Sequence, residues 1–188
     1  MGANPPVTLM KAKPRALHGQ AISNYRRLYQ PGGTYFFTVR LADGAPHDLR
    51  DHIQILRHAF RTECAAHPFE IEEAVILPNH LHNIRRLPEG DADFSNRWRR
   101  IKTAVTKAIH PPHFGSRSKF VRGERGFWQR RFWEHLIRDE AEMAHYRAYC
   151  WFNPVRHGYV QRAEDWPQSS FHRAVARGDV ARGWCWAA

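Results

Sequence analysis

Two β-patterned runs stand back to back in this chain, FEIEEAVIL at 69–77 and NHLHNIRRL at 79–87, with Pro78 alone between them. Strands joined this tightly pair only as antiparallel neighbours, because a parallel pair needs a crossover of a dozen or more residues. An amphipathic stretch at 47–66 precedes them. There Leu49, Ile53, Leu56 and Phe60 recur at spacings of four, three and four, which draws one apolar stripe along a helix. Earlier still, TYFFTVRLA at 34–42 is aromatic and β-branched, follows a Pro-Gly-Gly turn signal and reads as a strand. After Pro88-Glu89-Gly90, the positions of Phe94, Trp98, Ile101, Val105 and Ile109 mark a second amphipathic helix with a basic outer face. A basic, glycine-containing loop follows at 111–127, and FWEHLI at 132–137 is a further strand. Asp139 opens a last helix, with Glu142 three residues on at the spacing of a capping box.

Strand, helix, strand, strand, helix, strand and a final helix predict an α+β chain: a ferredoxin-like βαββαβ antiparallel sheet with an added C-terminal helix. The expected organisation is a flexible basic arm at 1–24, one domain over 25–175 and a tail at 176–188. This architecture hosts many unrelated activities, so function has to be argued from particular residues.

Charge narrows the field. Twenty-nine Lys and Arg against 18 Asp and Glu leave a net +11, and a domain so basic points to a polyanionic partner, nucleic acid being the commonest. Cys64, Cys150 and Cys185 are odd in number and far apart, which suggests neither a disulfide framework nor a cysteine zinc site. No apolar run reaches membrane-spanning length, and the basic N-terminus has no apolar segment behind it. The expected compartment is a reducing one: cytoplasmic and nucleoid-associated, with no membrane partner.

Within LPNHLHNI at 77–84, His80 and His82 lie two apart, so in a strand both imidazoles project from one face. Such a pair suits a divalent metal if one more oxygen or nitrogen ligand joins it. Among 13 histidines a His-x-His also arises by chance. In AYCWFNPVRHG at 148–158, Tyr149 and Asn153 share a helical face four residues apart, and Pro154 is expected to end or kink the helix just beyond Asn153. A core tyrosine and a helix-terminal asparagine would look the same. Taken together, a metal pair, a tyrosine and an amide form a coherent phosphoryl-transfer set, because a metal can offset charge developing at an attacked phosphate.

These residues sit within blocks that resemble the REP-associated tyrosine transposases, a branch of the single-tyrosine HUH transposases. The resemblance runs from about Asn24 to Trp184 and rests on the blocks SNYRRLYQPGGTYFFTV, LPNHLHNI, LPEGDADFSNRWRRIK, GFWQRRFWEHLIRDE, YCWFNPVRHGYV and DWPQSSFHR, in that order. The resemblance implies that His80, His82 and Asn153 hold Mg²⁺ or Mn²⁺ and that Tyr149 is the nucleophile. It implies cleavage and rejoining of single-stranded DNA beside REP-type hairpins, through a 5′-phosphotyrosine, by a monomer. The wider group often carries Gln where this chain has Asn153, and the family pattern has an apolar residue and a Trp in the stretch after His82 where this chain reads Asn83-Ile84-Arg85-Arg86.

Basic and aromatic residues interleave in three places: Tyr25-Arg26-Arg27, Arg97-Trp98-Arg99-Arg100, and Trp128 to Trp133 with Arg130 and Arg131. Such mixtures neutralise phosphates and stack unpaired bases. Arg26, Arg27, Arg97, Arg99, Arg100, Arg130, Arg131 and His157 are the expected DNA contacts, while the helical period places Trp98 in the core. Glycine at 158 is expected to turn the backbone. The main alternative is a hairpin-binding protein with weak or no cleavage that acts in genome organisation or regulation. An RNA-binding module on the same topology is a third reading, to which a histidine pair in mid-strand is poorly suited.

Overall fold

In a computed structural model, which describes residues 27–109 and 126–186, the four expected strands form one sheet. They are β1 (Thr34–Arg40), β2 (Glu70–Ile76), β3 (His80–Arg86) and β4 (Trp133–Ile137). All neighbours are antiparallel, in the order β2-β3-β1-β4. Helices α1 (Ile53–Ala66) and α2 (Phe94–Ile109) cover one face, and α3 (Glu140–Arg156) with α4 (Phe171–Arg177) cover the other. The ferredoxin-like topology with an added helix is therefore the one observed.

Strand alternation sorts the side chains between two cores. Tyr35, Phe37 and Val39 of β1 join Leu81, Leu56, Trp98 and Ile101 beneath α1 and α2. Phe36 instead meets Ile84, Val75, Cys150, Trp151 and Phe171 beneath α3 and α4. The two-residue period thus sends His80 and His82 to the α3 side and Arg85 to the α1–α2 side.

Several boundaries differ from expectation. The first helix begins as a 3₁₀ turn at Leu49–His52, capped by the Asp48 side chain accepting from the Arg50 amide, before α1 proper. Asp139 caps α3 as expected, its Oδ1 accepting from the Glu142 amide at 2.8 Å. Glu142 does not reach back to close the box; its carboxylate accepts from the Arg138 amide at 2.9 Å and lies 3.1 Å from His135 Nε2. Pro154 does not stop α3, which runs on to Arg156. The proline removes a single ladder donor, and the helix ends instead where Gly158 turns at φ 73°, with the Tyr159 amide donating to the Pro154 carbonyl at 3.0 Å. Helix α4 was not expected: seven residues with Phe171 and Ala174 as its buried positions display too little of a helical period. Trp184, beyond α4, packs on Trp151 and Phe171. No helix among the described residues is long and apolar enough to cross a membrane.

A candidate metal and tyrosine centre

His80 and His82 lie side by side on β3, with ring centroids 4.8 Å apart. Each Nδ1 is occupied by a neighbour. His80 Nδ1 sits 2.6 Å from the Asn79 carboxamide oxygen, and His82 Nδ1 sits 2.9 Å from Thr38 Oγ1, which lies directly across the sheet on β1. Asn79 Oδ1 can only accept, so it holds His80 as the Nδ1–H tautomer, which makes Nε2 the acceptor nitrogen. His82 Nε2 is buried with no hydrogen-bond partner. Burial first, with the charges of Arg40 and His157 adding to it, pushes His80 down to about 3. Burial likewise drives His82 well below the usual imidazole range, helped by His80 and His157. Both rings are neutral at physiological pH, the form in which imidazole binds a metal.

Helix α3 brings the tyrosine and the amide to this pair. The half-buried Tyr149 ring is 5.1 Å from His82 and 5.6 Å from Phe36, centroid to centroid. One turn on, Asn153 is 1% exposed; its carboxamide stands beside His80, and neither its Oδ1 nor its Nδ2 reaches a well-formed hydrogen bond. Leaving such a group unsatisfied costs about 1–3 kcal/mol, so a buried free carboxamide is explained best by a ligand. Among the described residues no three His, Cys, Asp or Glu converge on a common point. Two imidazole nitrogens and an amide oxygen are the available donors, and that set fits a divalent cation with open positions.

Buried Glu73 docks α3. Its Oε2 accepts from Trp151 Nε1 at 2.8 Å and from Ser170 Oγ, and its Oε1 lies 3.4 Å from Arg147. Tyr149 is thereby flanked in sequence by two residues tied to β2.

The expected DNA contacts separate. Arg26 lies outside the described residues, as do Tyr25, the arm at 1–24 and most of the loop at 111–127. Arg27 pairs with Glu134 at 3.3 Å, donates to Ser95 Oγ at 2.8 Å and covers the Phe132 ring. Arg97 departs from expectation: it is 3% exposed, and all its N–H groups are engaged by the Asp91 carboxylate and the carbonyls of His67, Pro68 and Asp93. It ties the start of α2 to the end of α1 and has no donor left for phosphate. Arg100 pairs with Glu63 at 2.8 Å but keeps part of its surface. Arg99, Arg130 and Arg131 are exposed, and Lys102 Nζ joins α2 to the segment leading into β4 by donating to the Gln129 carbonyl at 2.6 Å. His157 is exposed at the end of α3, with its ring 5.3 Å from His80. Trp98 is core, as its period indicated.

Sequence reasoning missed Thr38 and Asn79 as partners of the histidines, and Arg156, whose guanidinium stands 5.5 Å over the Tyr149 ring. Arg156 could have been found, since seven residues return to the same helical face. Thr38 could not, because it meets His82 only through strand register. The indole of Trp186 also packs near Tyr149, with centroids 6.5 Å apart, and against His145 and Phe152.

Comparison with known proteins identifies the family. The REP-associated tyrosine transposase of Escherichia coli (strain K12) is 45% identical over 163 residues, 87% of this chain and 91% of the relative. A Haemophilus influenzae protein carrying the same family name is 42% identical over 165 residues, 87% of this chain and 93% of its own length. A solved structure of a REP-associated tyrosine transposase bound to a REP hairpin superposes with a TM-score of 0.78 at 43% identity, covering 88% of this chain and 93% of that one. No family model matches the chain. With identity of this extent along most of both partners, this chain belongs to the REP-associated tyrosine transposases.

Proposed function

We propose that this protein binds REP-type hairpin DNA and cleaves and rejoins the adjacent single strand, with Tyr149 as nucleophile and a divalent cation held by His80, His82 and Asn153. The observation that carries the reading is the meeting of Tyr149 with a buried donor set, His82 Nε2 and the Asn153 carboxamide, neither of which makes a well-formed hydrogen bond. A Mg²⁺ or Mn²⁺ ion bound there would polarise the scissile phosphate and offset the charge developing on it. Tyr149 Oη attacks phosphorus, the bond to the 3′ oxygen breaks, and that oxygen leaves as a 3′-hydroxyl after taking up a proton. The 5′ end stays on the tyrosine, and attack by a 3′-hydroxyl reverses the step. The Arg156 guanidinium, 5.5 Å over the Tyr149 ring, adds positive charge beside the attacked phosphate.

The test is a denaturing gel of protein incubated with labelled hairpin DNA and Mn²⁺ or Mg²⁺, beside Tyr149→Phe. A metal-dependent covalent adduct that disappears in Tyr149→Phe supports the reading. Tight hairpin binding without adduct or cleavage in either metal would replace it with the hairpin-binding reading.

A further inference from the structure

Two large aromatic side chains are exposed on opposite sides of the histidine pair. Trp133 on β4 and Tyr159 just past α3 are each 42% exposed. Isolated exposed aromatics are common and need no function. These two share a construction that sets them apart. Trp133 lies flat on His135, with ring centroids 6.0 Å apart and planes inclined by 12°, and it edges against Phe36, which stacks on His82. Tyr159 lies flat on His157 at 5.8 Å and 21° and on Trp166 at 5.5 Å and 26°, and His157 in turn edges against His80. Each exposed ring is therefore backed by other rings and linked through them to one member of the pair.

The sheet places these ledges on either side. Thr38 of β1 pairs with His82 of β3 on one side and with Trp133 of β4 on the other, so the three form one row across the sheet. With strands about 4.8 Å apart, Trp133 stands on the order of 10 Å from His82. On the opposite flank, Trp166 under Tyr159 donates its Nε1 to the Ile76 carbonyl at 2.9 Å, which anchors that ledge at the end of β2, the far edge strand. A phosphate over the histidines would have one ledge on each side. Bases of a single strand crossing the sheet would then meet an open π face before and after it, and every base offers a π face to stack.

We propose that Trp133 and Tyr159 stack the unpaired bases on either side of the scissile phosphate and so hold the strand across the histidine pair. The inference rests on the function proposed above, and its test reads binding instead of cutting. Hairpin oligonucleotides with a single-stranded arm carry 2-aminopurine at each arm position in turn, and its emission falls when the base is stacked. Tyr149→Phe protein, which would bind without forming the adduct, is compared with the same protein also carrying Trp133→Ala, Trp133→Phe, Tyr159→Ala or Tyr159→Phe.

Trp133→Ala should restore emission at one arm position and Tyr159→Ala at a different one, with the phenylalanine variants staying quenched. Each alanine variant should bind the arm roughly tenfold more weakly. The salt dependence of binding should not change, because no charge is removed. The proposal is overturned if only one variant restores emission, if neither does, or if both act at the same position. Adduct formation by protein with Tyr149 intact is scored separately, so a failure of the catalytic reading and a failure of the ledges give different results.

Discussion

Thr38 Oγ1 meets His82 Nδ1 at 2.9 Å across the β1–β3 ladder, and this contact leaves Nε2 as the His82 nitrogen without a hydrogen-bond partner. Removing the hydroxyl with little change of shape, as in Thr38→Val, leaves the ring free to swing. Loss of such an outer partner of a metal-binding histidine typically costs 10–100-fold in metal affinity. Thr38→Val is expected to raise the Mn²⁺ concentration needed for half-maximal cleavage by about that factor. Activity at saturating Mn²⁺ should be largely kept. A titration with unchanged half-saturation would place the contact outside the metal's influence.

Asn153 presents the opposite balance between stability and function. Its buried, unpartnered carboxamide costs the apo fold about 1 kcal/mol or more. The near-isosteric Asn153→Leu should therefore unfold roughly 2–4 °C higher than the parent in metal-free buffer, for a chain of this size. Its metal-dependent cleavage should be abolished. A lower midpoint in differential scanning calorimetry would contradict the absence of partners.

Glu73 titrates in the folded protein above its ordinary value, because burial outweighs the stabilising contacts from Ser170, Trp151 and Arg147. A carboxyl raised in this way binds its proton more tightly folded than unfolded. The stability it contributes is present below the unfolded value of 4.5 and is lost as pH rises through the folded value. Glu73→Gln cannot ionise, so the stability difference between variant and parent should move in favour of the variant as pH rises from about 4.5. Urea midpoints at pH 4.5 and 7.5 measure this, and a shift in the other direction would show that the pairing with Arg147 dominates.

Two arginines buried in the same layer should respond to mutation with opposite signs. Arg97 engages all its N–H groups, whereas Arg85 has no hydrogen-bond partner on any guanidinium nitrogen and is fully buried. Arg85 lies instead among the rings of Phe69, Trp98, Phe37 and Phe60, the nearest 3.9 Å away. Burial lowers it to about 9, so it is still charged at neutral pH. Cation–π contact offsets only part of the desolvation of an unpaired charge. Arg85→Met is expected to stabilise the protein by about 1–2 kcal/mol, and Arg97→Met to destabilise it by about 3 kcal/mol. Chemical denaturation of the two variants checks both signs.

Arg99, Arg130 and Arg131 are the exposed members of the expected DNA set around α2 and β4. If each meets a phosphate, an alanine at any one of them should lower the slope of log affinity against log salt by about 1. Mutation of the buried Arg97 should leave that slope unchanged wherever the variant remains folded. Hairpin binding measured at several salt concentrations separates the two groups.

The order of elements was legible in the chain because each strand and long helix carries its own period, and antiparallel pairing follows from the short link between the second and third strands. The His-x-His spacing determined that both imidazoles share a face, and the four-residue step from Tyr149 to Asn153 determined that they share another. Which faces meet was decided by the fold. Strand register gives His82 its Thr38, and the docking of α3 through Glu73 puts Tyr149 over the histidines. The basic residues show the limit most clearly. In sequence Arg97 and Arg99 differ by one short step, yet the helix buries the first on Asp91 and leaves the second in water. Local pattern reports what a residue's neighbours along the chain require of it. Whether its charge is satisfied from within or left for a partner depends on groups brought close only by tertiary packing.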